Sequence, residues 1–422
     1  MPFLGSLIFV AVAAMATALL FRRLGLPGAR LVGGLVVGIA LGPTVLGRVA
    51  PERWTEIMMG GTEWRTAVHD TEREHAAWRF AAAAVPLSIE EIELEAERHR
   101  REILPMRQAL REAENQHARP WVMVTVLTAI GAAASGGLTG RPRRSASVLD
   151  GHRPFHRADL ADAAAVGAWA AMVPILATIL IFTFLGYGAW NATTLLAAAA
   201  VGIGAWTLEP IDRRLAGGRS ARRQILRAGT FTTLVAAGLI VAAAWRGQAG
   251  WGIVGVVLLP IVLSGTRFAR RWPARQIRDF ILLPSLAAFT ILRSEFLLET
   301  PWLLTIFLIA IAGDGRWLGW FFGLIFSGHE YGRGHGPTLE AAEAADTASP
   351  TPWHETAAAS VLQNSLRRSL AALDTAGPQL VVAGTAVALG LIEPGIAMAL
   401  AISATTLDLT APFRRRFAQS LK

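Results

Sequence analysis

The chain has 422 residues, of which 53% are hydrophobic, and its mean hydropathy of +0.42 lies well above that of an ordinary soluble domain. It contains no cysteine, which excludes a disulfide framework, a thiolate metal site and a cysteine nucleophile. The formal net charge is +9, but the arginines cluster beside apolar runs, so we interpret them as membrane anchors and expect no nucleic-acid partner.

The apolar residues fall into about eleven runs that are nearly free of charge. Most of these runs, extended by a few flanking residues, approach the roughly 20 residues that an α-helix needs to cross a bilayer. The pattern therefore predicts an all-α polytopic membrane protein with about eleven transmembrane helices. The first run is followed rather than preceded by Arg22 and Arg23, so we expect a retained helix and not a signal peptide. The runs are Met1–Leu20, Leu31–Leu46, Val122–Ala134, Ala164–Tyr187, Ala192–Leu208, Phe231–Trp245, Gly252–Leu263, Phe280–Leu292, Trp302–Phe326, Leu380–Ile392 and Ile396–Leu407.

Arginine-rich connections alternate with short, nearly neutral ones along the chain. Cytoplasmic loops carry the excess of basic residues in membrane proteins, so the alternation predicts an N-terminus outside the cell and a cytoplasmic C-terminus. The neutral connections lie at Trp190-Asn191, Gly247–Gly250 and Glu393-Pro394. The arginine-rich segments lie within residues 22–30, 141–157, 213–227, 267–278, 333–368 and 414–416.

Residues 51–120 form a large polar insertion, which the alternation places on the extracytoplasmic side. Ser88 and Glu91 fit a capping box at the start of a helix, and an apolar stripe at helical spacing runs from there until Pro105 interrupts it. We expect a second helix over Met106–His117. The insertion is interpreted either as a solvated helical hairpin packed on the membrane domain or as a docking surface for a partner subunit or a second copy. The stripe comprises Ile89, Ile92, Ala96, Ile103 and Leu104.

A second polar segment, residues 328–365, is rich in Gly, Ala, Thr and Pro and is predicted to be a flexible cytoplasmic linker. The chain thus divides into a first helix pair (1–50), the insertion, a transmembrane core (121–327), the linker, and a C-terminal helix pair with a basic tail (366–422). The linker's histidines lack a carboxylate or cysteine at ligand spacing. Nucleotide-binding, hydrolase and metalloprotease motifs are absent from the sequence, so we expect neither an enzyme nor a bound metal or cofactor.

Three stretches of the sequence carry a family resemblance. Leu20–Gly47 combines a short basic turn and a Gly-rich helix with a closing L-G-P-x-x-L-G; Leu282–Phe296 reads LLPSLAAFTILRSEF; Trp302–Arg416 contains IAGDGRWLG and AALDTAGPQL. In their order and spacing they resemble the monovalent cation:proton antiporter superfamily, in its bacterial branch of sodium/proton and potassium/proton exchangers. The resemblance implies a bacterial inner-membrane protein built from two inverted-topology repeats, with two broken helices crossing near the bilayer midplane.

The same resemblance places Thr232 and Thr233 where the family has an adjacent pair of acids. A carboxylate at bilayer depth can hold a cation or a proton, whereas threonine hydroxyls do so only feebly. Thr207 falls in the motif of the preceding broken helix, and Arg293 keeps a basic position that in relatives helps to hold the core together. The alternative for the three threonines is structural, because threonine in a membrane helix commonly bonds a carbonyl of the preceding turn.

Other acids lie in or beside apolar spans and are candidates to replace the missing pair. Asp314 stands where the family has a lysine, and with Arg316 two residues on we expect an ion pair or a contact with a broken-helix dipole; an ion site is the alternative. Glu209 adjoins two arginines, which favours interfacial ion pairing. Asp374 precedes the start of a helix and is predicted to cap its amide end.

Two functional hypotheses follow. In the first, the protein has lost transport and acts as a structural or regulatory membrane subunit that docks a partner, or a second copy, through residues 51–120. In the second, it exchanges sodium or potassium for protons through a rewired acidic site that uses Asp314, Asp374 or Glu209. The missing acidic pair favours the first hypothesis, because proton coupling needs a group that titrates near neutral pH.

Overall fold

The computed structural model describes residues 3–82, 88–136, 157–204, 219–246, 251–263, 291–292, 294–326, 362–370, 372–373 and 376–420. Within these ranges every regular element is helical, and residues 362–370 are helical too. We number the α-helices in chain order and name two π-helical segments π1 and π2. They are α1 (Phe3–Arg23), α2 (Ala29–Leu41), α3 (Leu46–Val49), α4 (Pro51–Trp54), π1 (Thr55–Met59), α5 (Thr62–Ala82), α6 (Ile89–Gly136), α7 (Arg157–Phe184), α8 (Ala192–Gly202), α9 (Arg219–Trp245), α10 (Trp251–Leu263), α11 (Trp302–Ala310), π2 (Ile311–Gly315), α12 (Arg316–Phe326), α13 (Ala376–Ala388) and α14 (Pro394–Ser420).

Five helical runs in the described ranges are long and apolar enough to cross a membrane. This finding supports the predicted helical, multi-pass membrane class, while the number of eleven spans stays a prediction. Two further helices are apolar but short, Ala192–Gly202 and Gly377–Val387. The five runs are Ala29–Val49, Ala161–Phe184, Arg227–Trp245, Trp302–Phe326 and Pro394–Ser420.

The short helix α8 lies at the centre of the main hydrophobic core. Every residue from Thr194 to Gly202 is buried, and α7, α9 and α13 pack around it. A helix that is apolar on all sides is stable only when it is enclosed in this way, and its run of alanines lets its neighbours approach closely. Its 11 residues span about 16 Å, roughly half of the hydrocarbon thickness of a bilayer.

Helix α12 approaches α7 through a face of glycines spaced four residues apart. A Cβ atom on Gly319 would lie 2.9 Å from Trp169 O, and one on Gly323 would lie 2.8 Å from Val166 O. Because no side chain separates the two backbones, dispersion contacts between them are close and numerous. This is the usual way in which membrane helices associate without a hydrophobic driving force.

Two contacts join the first helix pair to parts of the chain that are distant in sequence. Phe296 N donates a hydrogen bond of 2.9 Å to Thr44 Oγ1, which lies between α2 and α3. A Cβ on Gly28, between α1 and α2, would lie 3.3 Å from Asp408 Oδ2 of α14. The first helix pair is thus packed against the C-terminal half of the chain, while the side of the membrane on which each connection lies stays a prediction.

The expected interruption at Pro105 is wrong, since α6 continues through it as one helix of 48 residues. Contacts with α5 hold the chain on both sides of the proline. Before it, the His99 ring stacks on His75 of α5 with 3.8 Å between the ring centroids, and after it Arg107 Nη2 donates a 2.7 Å hydrogen bond to Glu72 Oε1. These contacts offset the backbone hydrogen bond that proline removes. The same helix passes residue 120, so the insertion runs directly into the third apolar run without a break.

The predicted capping box at the start of α6 is confirmed. Ser88 N and Ser88 Oγ each donate to Glu91 Oε2 at 2.9 Å, and Glu91 N donates back to Ser88 Oγ at 3.2 Å. The bond from the Ser88 backbone, with the one from its hydroxyl, stabilises the carboxylate and holds the pKa of Glu91 below its ordinary value.

The capping box predicts a pH-dependent opening of the first turn of α6. A group whose pKa is lowered in the folded protein contributes its stability above its ordinary pKa, and the contribution is lost as the pH falls through the lowered value. We therefore expect hydrogen–deuterium exchange over residues 88–95, corrected for intrinsic rates, to accelerate in that acidic window. Glu91→Ala, which removes the carboxylate, should already exchange fast at neutral pH and show no step. Glu93→Gln, which takes no part in the box, should retain the step; its loss in that variant would contradict the assignment.

Candidate functional site

Two half-length helices, α8 and α13, pack against each other in the core and have their inner ends inside the protein. Helix α8 starts at the Asn191 cap, whose Oδ1 accepts from Thr193 N at 3.2 Å, and ends at Gly202, after which Ile203 is extended and buried. Helix α13 runs the other way, towards the turn at Gly390. The C-terminal end of one helix and the N-terminal end of the other thus meet far from either loop.

Arg316, the first residue of α12, joins these two inner ends. Its Nε donates to Val201 O and its Nη2 donates to Ala200 O at 3.1 Å, which are carbonyls of the last turn of α8. The same Nη2 donates to Gln379 Oε1 of α13 at 3.1 Å. A cation at a helix C-terminus is stabilised by the helix dipole and satisfies carbonyls that have no partner within the helix.

Gln379 carries the polar network on to α14. Its Nε2 donates to Ser403 Oγ at 2.6 Å and to Leu400 O at 3.0 Å, and Ser403 Oγ donates to Leu400 O at 2.9 Å. All three side chains of the network, those of Arg316, Gln379 and Ser403, are at most 2% exposed. The network therefore ties four helices together at one buried point, where unmade hydrogen bonds would be costly.

The guanidinium of Arg316 has no carboxylate partner within the described part of the chain. Its buried Nη1 makes no hydrogen bond, and its other nitrogens donate only to carbonyl and amide oxygens. Among the described residues, the positive charge of Arg316 is therefore compensated by the dipoles of carbonyl and amide groups and not by an anion. The site is a fixed positive charge between two helix ends.

Thr232 and Thr233 lie on α9 with both side chains buried, and both hydroxyls donate to Gly229 O, at 2.7 Å and 2.9 Å. This is the structural role that the sequence left open for them. The residue after the end of α8, Gly204, lies directly against the pair: a Cβ there would overlap Thr232 Oγ1 and lie 2.8 Å from Gly229 O. The structure thus places the two threonines beside the interrupted helix, with their hydroxyl protons already engaged.

The expected ion pair between Asp314 and Arg316 is wrong. Asp314 lies in π2 with its side chain exposed, while Arg316 is buried and bonded to α8 and α13. Residues two apart on a helix point to different faces, so the pair cannot meet while the helix is intact. No hydrogen bond joins Asp314 to the described end of α8, where Arg316 supplies the donors.

Four other predicted site residues, Thr207, Glu209, Arg293 and Asp374, lie outside the described residues. Within the described ranges, no group of three or more His, Asp or Glu side chains is arranged to hold a metal ion.

Sequence reasoning missed Gln379 and Ser403 because it searched the spans for acids. The available signal was a neutral amide three residues into a short apolar helix, directly after a Gly-Pro pair. A buried amide at a helix start needs partners for both its donor and its acceptor, and here Arg316 and Ser403 supply them.

No family model matches the chain, and no curated protein is significantly similar to it.

Adding a methyl group at Gly204 tests the contact between the end of α8 and the threonine pair. Gly204→Ala should force the backbone away from Gly229 and Thr232 and lower the free energy of unfolding by about 1–3 kcal/mol. The matched control is Gly238→Ala, on the helix α9 that carries Gly229 and Thr232. A Cβ on Gly238 meets nothing within 4 Å. Unfolding in mixed micelles, followed by tryptophan fluorescence, measures both; equal stabilities for the two variants would contradict the contact.

A double-mutant cycle tests the coupling between Arg316 and Gln379. Arg316→Met leaves the α8 carbonyls and Gln379 Oε1 without donors and should cost about 3–5 kcal/mol of unfolding free energy. Gln379→Leu should cost less alone, and the two losses should be non-additive by about 0.5–3 kcal/mol. Ser403→Ala, at the far end of the network, is the control and should lose about 1 kcal/mol. Strict additivity of the Arg316 and Gln379 changes would show that the two side chains do not interact.

Proposed function

We propose that this chain is an integral membrane protein of the cation:proton antiporter fold that has lost its cation site and acts as a structural or regulatory membrane subunit. The resemblance of three sequence stretches to that superfamily supports the fold. Two apolar helices of about half a membrane's thickness, packed side by side with their inner ends together, support it further, since broken helices are typical of such transporters. The arginine alternation supports an inner-membrane protein with its N-terminus outside and its C-terminus in the cytoplasm.

The single observation that carries the loss of the cation site is the bonding around the inner end of α8. Thr232 and Thr233 donate to Gly229 O, and the described surroundings hold a buried guanidinium in place of an acid. A cation that sheds water at this depth needs negative charge or several free oxygens. It would instead meet the positive charge of Arg316, which donates to Val201 O, and Val201 is at most about 10 Å of backbone from Gly204.

The extracytoplasmic hairpin of α5 and α6 supports a docking role. Phe80 lies near the end of α5, Ile89 and Leu94 lie in the first two turns of α6, and each is at least 74% exposed. Large apolar side chains exposed at one end of a charged helical hairpin are typical of a surface that another protein covers. We therefore place the partner, or a second copy of the chain, on this end of the hairpin.

A second function, exchange of sodium or potassium for protons through Asp314, is favoured by one observation. Asp314 is exposed, and it stands at the midpoint of the 25-residue run Trp302–Phe326. A carboxylate at that depth that water reaches from alternate sides would provide the titrating group that Thr232 and Thr233 do not.

Ion flux in proteoliposomes separates the two functions. With an imposed pH gradient, we expect sodium and potassium fluxes of the intact chain to equal those of vesicles without protein. Asp314→Asn should change nothing, and each preparation is first shown to be folded by its cooperative unfolding transition. A saturable exchange that Asp314→Asn abolishes would refute the proposed function and establish the second one.

A further inference from the structure

The outward side of the run Trp302–Phe326 carries a polar residue at its centre. We call the residues Leu303, Ile306, Ala310 and Asp314 the Asp314 face; they follow each other at helical spacing and all are exposed, whereas Leu304, Leu308 and Arg316 point inward and are buried. The face is apolar except for its carboxylate. About 18 Å of helix separates Asp314 from each end of the run.

Asp314 has no partner within the described part of the chain. The nearest basic residue in sequence, Arg316, is committed to α8 and α13 on the opposite side of the helix. An aspartate side chain is too short to reach the membrane surface from this depth, unlike a lysine or arginine near a helix end. If the face met only lipid, an ionised carboxylate at the bilayer centre would be costly.

We propose that the Asp314 face is the docking site of a different membrane protein, one whose transmembrane helix carries a basic side chain at the same depth. The inference rests on the proposed function as a membrane subunit and names the chemistry of its partner within the bilayer. Opposite charges at bilayer depth pair with each other, which removes the cost of both. The partner is thus recognised by one charge pair in otherwise apolar surroundings.

The shape of the face suits a second helix. Ala310 lies one turn before Asp314, and a Cβ on the adjacent Gly313 would meet nothing within 4 Å. Small residues beside a polar one let a neighbouring backbone approach until the side chains can bond. A second copy of this chain is the less suitable occupant, because the basic residue of its corresponding run, Arg316, is buried and its own face would bring another carboxylate.

A transmembrane peptide provides the test. The chain has no cysteine, so one cysteine added after Lys422 gives a single labelling site on the full protein. The labelled protein is reconstituted with labelled Leu/Ala peptides of about 20 residues that carry either one central Arg or one central Leu. We expect energy transfer to show at least tenfold tighter association of the Arg peptide, and Asp314→Asn to remove that preference.

A matched variant tests the depth of the pairing. In the double variant Ile306→Asp/Asp314→Ile the carboxylate moves about 12 Å along the same face, so the best position for the peptide's arginine should move by the same amount. No preference for the Arg peptide, or a preference that survives Asp314→Asn or does not follow the moved carboxylate, would overturn the inference. Energy transfer between two copies of the chain that depends on Asp314 would also overturn it, since a second copy would then cover the face.

The flux assay is run on the same vesicles. It distinguishes failure of the proposed function from failure of the proposed docking site. Ion exchange that depends on Asp314 would refute the proposed function itself. Absence of flux together with absence of peptide preference would refute only the docking site and leave the subunit function standing.

Discussion

The core depends on one interaction, the hydrogen bonds from Arg316 to the last carbonyls of α8. A helix that ends inside a membrane protein leaves carbonyl groups without partners, and in an apolar interior each of them is costly. The guanidinium of Arg316 supplies several coplanar hydrogen-bond donors to these carbonyls. Its positive charge also interacts favourably with the negative end of the helix dipole. Arg316 also donates to Gln379, and Gln379 donates to Ser403. These hydrogen bonds fix the relative positions of α8, α12, α13 and α14.

The hydrogen bonds between Arg316 and α8 affect how this site could interact with a cation. A transporter of the proposed fold uses helix ends and acids at the midplane to hold a cation, whereas this chain satisfies its helix ends internally. Thr232 and Thr233 sit beside the interruption at Gly204, yet their hydroxyls donate to Gly229 O. These polar groups are thus engaged within the protein, whereas the carboxylate of Asp314 faces outward.

Two expectations failed for a common reason: each considered a residue only with its neighbours in sequence. Pro105 was expected to end a helix, but the helix continues through it, with contacts of His99 and Arg107 to α5 on either side. Asp314 was expected to pair with Arg316, but the helix turns the two side chains to different faces. For Pro105 the deciding contacts come from a helix distant in sequence. For Asp314 the deciding factor is the angle between successive side chains on the helix.

The sequence by itself determined the helical character of the chain, the apolar runs long enough to span a membrane, and the capping box at Ser88 and Glu91. These features depend on hydropathy, on local hydrogen bonds within one turn and on residue identity, all of which can be read along the chain. Only the tertiary structure decided that Arg316 caps α8, that Gln379 joins it and that Asp314 faces outward. Those outcomes depend on which helices meet, and helices distant in sequence meet through backbone contacts, such as that between Gly204 and Gly229, that leave no local pattern.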